Sequence, residues 1–320
     1  MGSSVSKRRV IIVSGTGTVL FFLMLFAQGK IGQLLRIEAD AEASSRSAEG
    51  ASVTPAGNAL INTLTLKAEF AQAGLTLGSP IYLRIFKSNG KDGAFRRISS
   101  VKGAWDEVWI PNLKRAWVEV WVQEKHGSYR IFKNYPVCTY TGNLGPKREA
   151  DDKQAPEGFY AIQSQGMNPN SAYYRAMDIG YPNAYDRMQR ATGSNIKIHG
   201  MCISSGCFTI GEPQREDHQH LEELYTLVKA VHTEGQTRVP VHIFPFPMTE
   251  ENMALYPNSN WLPFWNMLKP AYDLFERDRL PPQVQVINGE YVISPGSVPF
   301  APAFQLLNVR TACQQIGCTR

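Results

Sequence analysis

The first 28 residues contain no aspartate or glutamate, the 320-residue chain has only five cysteines, and no internal repeat is visible. Five cysteines are too few for a disulfide scaffold at this length, and an odd count leaves at least one thiol unpaired within the chain. Excess charge is also scarce. There are 33 basic and 28 acidic residues, and three of the basics are Lys7, Arg8 and Arg9, so beyond residue 28 the balance is 30 to 28. So neutral a body is not that of a dedicated nucleic-acid binder. What the chain does have is apolar side chain: 43% hydrophobic against 19% charged residues describes a folded protein of one large domain or two small ones.

The basic triplet stands directly before Val10–Ala27, a run of 18 residues without a charge. As a helix it spans roughly 27 Å, about one hydrocarbon core. The basic flank keeps the N-terminus in the cytoplasm and sends the rest outward. The expectation is an inner-membrane anchor with a periplasmic body. The alternative is a signal peptide cut after Ala39-Asp40-Ala41 and release into the periplasm.

Along the chain, residues 1–28 form the basic tip and anchor, and 29–75 a spacer and lead-in. Residues 76–300 are expected to form the main folded domain with its C-terminal extension, and 301–320 a tail. The spacer expectation rests on residues 29–58, which are rich in Ala, Ser, Glu and Gly. Strand patterns run over Ile81–Phe86, Glu107–Ile110, Trp117–Val122, Tyr129–Phe132 and Val239–Phe244, with a hairpin over Val284–Ile293 around Asn288-Gly289. Glu216–His232 and Trp261–Arg277 have helical periodicity. The sum is an α+β fold: a β-rich core with appended C-terminal helices and a hairpin, preceded by one transmembrane helix.

The chemistry concentrates in Ile198–Gly211, IHGMCISSGCFTIG. A cysteine nucleophile needs an imidazole within reach, to hold it as thiolate or to take its proton. It also needs donors where negative charge builds on an attacked carbonyl. His199, Cys207 and the Ser205-Gly206-Cys207 turn supply these types, if two strand ends bring His199 and Cys207 together. Other readings share the spacing. His199, Cys202 and Cys207 are three of the four ligands that a structural zinc wants, Cys202 and Cys207 could pair as a disulfide, and either cysteine could be a buried structural thiol.

The string HGMCISSGC resembles the active-site signature of the L,D-transpeptidase catalytic domain family (the YkuD or ErfK type), and within it the YafK-like pattern His-Gly-x-Cys-x-Ser-x-Gly-Cys. Further strings fall in the family's order: Gly145-Pro146-Lys147, APEGFY at 155–160, MNPNS at 167–171, IGYPNAYDR at 179–187 and HIFPFPM at 242–248. The likeness runs from about residue 78 to 298. Ala155 replaces the family's threonine, and Ser205 replaces a second histidine found in most of the wider family.

The resemblance implies Cys207 as nucleophile and His199 as its base. It implies Ser204, Ser205 and Gly206 as the turn that presents oxyanion donors, chiefly the N–H groups of Gly206 and Cys207. It implies attack on the L-centre carbonyl of diaminopimelate in a peptidoglycan stem, through a thioester and without a cofactor or metal. In the YafK-like branch the implied reaction hydrolyses the diaminopimelate–lysine amide that ties an outer-membrane lipoprotein to peptidoglycan. Crosslinking or lipoprotein attachment is the alternative, and an inactive peptidoglycan-binding scaffold is the rival of another class.

Smaller expectations surround this core. Gly200, Tyr173, Tyr174, Tyr181, Tyr185 and Lys147 are candidates for a peptide groove, although such tyrosines also serve as half-buried packing and a turn lysine is ordinarily exposed. Glu212 and Asp217 either orient His199 or answer a helix dipole. His126, His232 and His242 read as structural. Cys313 and Cys318 are close enough in sequence to form a terminal disulfide, whereas Cys138 and Cys202 have no evident mates.

Overall fold

The computed structural model describes residues 55–90, 95–98, 108–111, 116–211 and 218–297. The chain divides into two units, residues 1–58 and 59–320, and the described residues lie almost wholly in the second. The expected anchor over Val10–Ala27, the spacer over 29–54, Glu212, Asp217, and the Cys313–Cys318 pair lie outside the described residues. Among the described residues no helix is long and apolar enough to cross a membrane.

Strand β1 (Ile81–Phe86) shows why the centre of the fold forms. All six of its residues are buried, which requires cover on both faces. It pairs antiparallel with β4 (Trp117–Gln123) and parallel with β11 (Arg238–Phe244). On one face Ile81, Leu83 and Ile85 join Val118, Val120 and Val122 of β4 and Val239, Val241 and Ile243 of β11. Helices α1 (Pro55–Gln72) and α3 (Gln219–Thr233) close that face with Leu66, Phe70, Leu221, Leu224 and Val228. Each such side chain contributes about 1.5–3 kcal/mol when fully buried. The stretch expected as lead-in therefore holds a packed helix.

On the other face Tyr82, Arg84 and Phe86 meet helix α5 (Leu262–Asp278). Arg84 is buried there, and its charge is answered by Glu119 and Glu276, each at 2.6 Å. Burying a charge is tolerable only with such partners.

The remaining strands extend one nine-stranded mixed sheet in the order β6-β11-β1-β4-β5-β10-β9-β8-β7. They are β5 (Tyr129–Thr139), β6 (Gly158–Gln163), β7 (Met167–Ser171), β8 (Tyr174–Asp178), β9 (Lys197–His199) and β10 (Phe208–Ile210). Its ends curl together, since Ala161 N–H of β6 donates to Ile179 O just beyond β8 at 3.1 Å. Two hairpins stand apart: β2 (Phe95–Ile98) with β3 (Val108–Pro111), and β12 (Gln283–Ile287) with β13 (Glu290–Ser294). In the second, Asn288 and Gly289 take φ of 52° and 82°, the left-handed pair that a two-residue hairpin turn demands. Short helices α2 (Ala184–Met188) and α4 (Glu250–Met253) complete the described elements.

Residues 141–157 connect β5 to β6 around a buried ion pair. Lys87 and Glu157 are both fully buried and 3.1 Å apart. Lys87 Nζ also donates to the carbonyls of Asn143, Gly145 and Ala155, while Glu157 accepts from Gly145 N–H and Trp265 Nε1. Every bond of the pair to the loop is to backbone, so the pair ties the loop at Asn143, Gly145 and Ala155.

Candidate active site

Strands β9 and β10 run parallel, with Ile198 opposite Phe208 and His199 opposite Thr209. On β8, Met177 faces Ile198, Ala176 faces His199 and Asp178 faces Lys197. Met177, Ile198 and Phe208 point into the core. By strand alternation, His199, Lys197, Asp178 and Cys207 all project from the opposite face. Small Ala176 beside His199 leaves room for the ring.

Cys207 is a free, half-buried thiol. Its Sγ accepts from Lys197 N–H at 3.4 Å and donates toward Asn195 O at 3.8 Å. His199 lies two residues along β9, the diagonal position in which side chains of neighbouring strands are still in reach of each other. The register thus puts the two on neighbouring strands, and neither ring nitrogen of His199 bonds the thiol. Nδ1 is 2.6 Å from Gly200 O. A carbonyl only accepts, so in the neutral ring Nδ1 carries the proton and Nε2 holds the free lone pair. Tyr173, exposed to solvent, lies over the imidazole with ring centroids 4.9 Å apart.

Of the two roles open to the imidazole, holding a thiolate or taking a proton, the electrostatics favour the second. Burial pushes the Cys207 thiol up, against the lowering effect of Lys197 N–H and the Lys197 charge. Burial likewise pulls His199 down. The resting pair is a neutral thiol beside a neutral imidazole, a base ready to accept a proton.

The turn before Cys207 is built by Ser204. Its hydroxyl donates to Cys207 O at 2.7 Å and accepts from Gly206 N–H at 3.2 Å. Gly206 has φ of +124° and packs against Gln154 O of the 141–157 loop, so a side chain there would be strained and crowded. Gly206 N–H is thus engaged and is not the free oxyanion donor expected. Among the described residues the N–H groups of Ser205 and Cys207 have no acceptor.

Cys202, expected to lack a mate, is bonded to Cys138 across 64 positions. The register explains the pairing. Thr139 and Val137 of β5 face consecutive residues Thr209 and Ile210 of β10, so Cys138 is the extra residue of a bulge. Bulges re-aim side chains, and here the thiol meets the 200–207 loop. This removes Cys202 as a zinc ligand and as a partner for Cys207. No spacing rule in the sequence pointed to Cys138.

The groove candidates divide. Tyr181 is buried and donates to Thr192 O at 3.1 Å, and Tyr185 is buried against Tyr291, so both are packing. Lys147 is buried rather than exposed, with Nζ on Glu149 O and Asp152. Gly200 is buried, its N–H donating to Tyr173 O at 3.1 Å and its Cα side close to Leu221 and His218. Tyr173 alone stands over His199, while Tyr174 stacks on His218 at 4.3 Å. His242 is buried and bonded to Tyr82 at 2.8 Å, as a structural histidine should be, and burial lowers its pKa to about 3. His232 is held by Gln236 O, whereas His126 is exposed beside Ser128.

No protein-family model matches the sequence. Among curated proteins, the chain is 36% identical over 218 residues to the protein named "Putative L,D-transpeptidase YafK" of Escherichia coli (strain K12), and to its counterpart in strain O157:H7. Each alignment covers 68% of this chain and 75% of the relative. Among solved structures, the helical cell shape determining protein Pgp2 of Campylobacter jejuni is 14% identical, covering 68% of this chain and 80% of that one, with a TM-score of 0.32. Bd1075 of Bdellovibrio bacteriovorus is 16% identical, covering 54% and 73%, with a TM-score of 0.28. Structural likeness at that level carries no weight, but the sequence identity over three quarters of its relative does: this chain belongs to the L,D-transpeptidase family, alongside YafK.

Proposed function

We propose that the protein is a cysteine-dependent peptidoglycan enzyme that hydrolyses the amide between the L-centre carbonyl of diaminopimelate and the terminal lysine of an outer-membrane lipoprotein. The observation that carries the reading is the free thiol of Cys207 on the same sheet face as the unengaged Nε2 of His199. In this mechanism substrate binding brings the two within proton-transfer distance, as is common when resting contacts are long. Cys207 Sγ attacks the carbonyl and its proton passes to Nε2. The N–H groups of Cys207 and Ser205 take the oxyanion. His199 then gives its proton to the departing lysine amine, leaving a thioester. Water attacks next, His199 removing its proton, and the carboxylate and thiol are released.

The test is to digest lipoprotein-linked peptidoglycan with the purified protein and weigh the fragments. The expected product is a stem tripeptide with a free diaminopimelate carboxyl and no lysine remnant. A new crosslink in place of that carboxyl would assign the protein to transfer instead. An unchanged digest would favour the scaffold reading.

The reading includes placement: residues 29–320 in the periplasm, held by an uncleaved Val10–Ala27 helix. N-terminal sequencing of the native protein should find the chain intact at its start, whereas a first residue near position 42 would mean a cleaved signal.

A further inference from the structure

Asp178 and Lys197 face each other across β8 and β9. Opposite charges so placed have Cβ atoms about 4.5–5.5 Å apart and ordinarily bridge. Here they do not. Asp178 turns one carboxylate oxygen to Gly180 N–H at 2.8 Å, and its other oxygen has no partner among the described residues. The Lys197 ammonium likewise has none among them. Both groups sit in the row that contains Cys207, whose thiol is bonded to the backbone of Lys197 itself. A carboxylate and an ammonium left unpaired together beside a nucleophile match a ligand that carries the complementary two charges.

We propose that Asp178 and Lys197 form a two-point clamp for a zwitterionic amino-acid centre on the acyl donor, with Asp178 taking its ammonium and Lys197 its carboxylate. This rests on the reading above, in which the donor is diaminopimelate: its D-centre carries both groups. From the attacked L-centre carbonyl to that D-centre run five carbon–carbon bonds of ~1.5 Å, about 6 Å in an extended chain. Across the sheet, Cys207 and Asp178 are two strand spacings apart, roughly 10 Å between backbones. With Lys197 between them on β9, the clamp lies one to two strand spacings from the thiol, a span comparable to that from carbonyl to D-centre with its two charged groups. That both charges bear on the Cys207 thiol, Asp178 raising its pKa and Lys197 lowering it, agrees with their nearness. The neighbouring Lys147 cannot substitute, because Asp152 already holds it.

The clamp is tested by binding, independently of turnover. The full chain carrying Cys207→Ala is titrated calorimetrically with L-alanyl-γ-D-glutamyl-diaminopimelate. The same tripeptide with its D-centre amine acetylated, and with its D-centre carboxyl amidated, completes the ligand set. Asp178→Asn, which keeps the acceptor for Gly180 N–H, and Lys197→Gln are then added singly. Acetylation should weaken binding about 10-fold in the Cys207→Ala chain and scarcely at all once Asp178→Asn is present. Amidation and Lys197→Gln should be coupled in the same way. Losses that simply multiply, substitutions without effect, or no binding of the unmodified tripeptide would each overturn the clamp. A chain that binds as expected yet, with Cys207 intact, cleaves nothing would refute the proposed reaction and leave the clamp standing.

Discussion

Cys207→Ser should lower kcat/KM on lipoprotein-linked peptidoglycan by at least about 10⁴-fold while leaving the fold intact. The hydroxyl can still accept from Lys197 N–H, so the turn has no reason to move, but a serine alkoxide is far harder to form beside a lone imidazole. His199→Ala should cost nearly as much, and the double variant little more, because thiol and base act as a unit. The pH profile follows from the two burial effects. His199 must be neutral to accept the proton, and burial holds its pKa below the ordinary imidazole value, so activity should persist on the acid side and fall only below that value. Alkylation of resting Cys207 by iodoacetamide should still be accelerating above the ordinary thiol pKa, because burial raises it. Turnover by Cys207→Ser above about one part in a hundred of wild type would remove the nucleophile assignment.

Replacing both Cys138 and Cys202 by alanine should cost about 4 kcal/mol of stability, the chain-entropy value for a bridge across 64 positions. Urea unfolding of the two proteins measures it. Under the proposed mechanism activity should fall as well, because Cys202 pins the 200–207 loop, which presents the N–H groups of Ser205 and Cys207. Cys202 is exposed while Cys138 is buried, so a thiol reductant can reach the bridge from outside and give the same loss without mutation. Non-reducing peptide mapping should find Cys138 joined to Cys202 and Cys207 free. A double variant as stable and as active as the parent would show that the loop holds its shape unaided.

The parts of the fold legible in the sequence are those whose signal is local. Alternating and β-branched runs mark β1, β4 and β11 to within a residue or so, and Asn288-Gly289 marks its hairpin because few other pairs accept that backbone. Strands β9 and β10 have three residues each, too short for any periodicity, and they became visible only through the histidine and cysteine at their ends. The Tyr129–Phe132 pattern stopped seven residues early, since beyond it Pro136 and polar residues obscure a strand whose last residues pair with the distant β10. The same remoteness hid the Cys138–Cys202 bond, which depends on a one-residue bulge. Lys147 was misread because lysine is usually a surface residue, and nothing local announces that Asp152 folds back onto it. His199 and Cys207 were readable as a candidate pair by residue type, but not their neutral resting state, which burial decides.

The position of β1 has a consequence for how the chain acquires this structure. It is hydrogen-bonded on one side to β4, made soon after it, and on the other to β11, so Leu83 waits for Val241. Until residue 244 has emerged, one edge of a strand buried along its whole length is open, and open edges of that kind recruit other chains. Pairing so distant in sequence is also slow to find. A nascent or truncated chain ending before β11 should therefore be prone to aggregate, and one extending through α5, which covers the second face of β1, should fold.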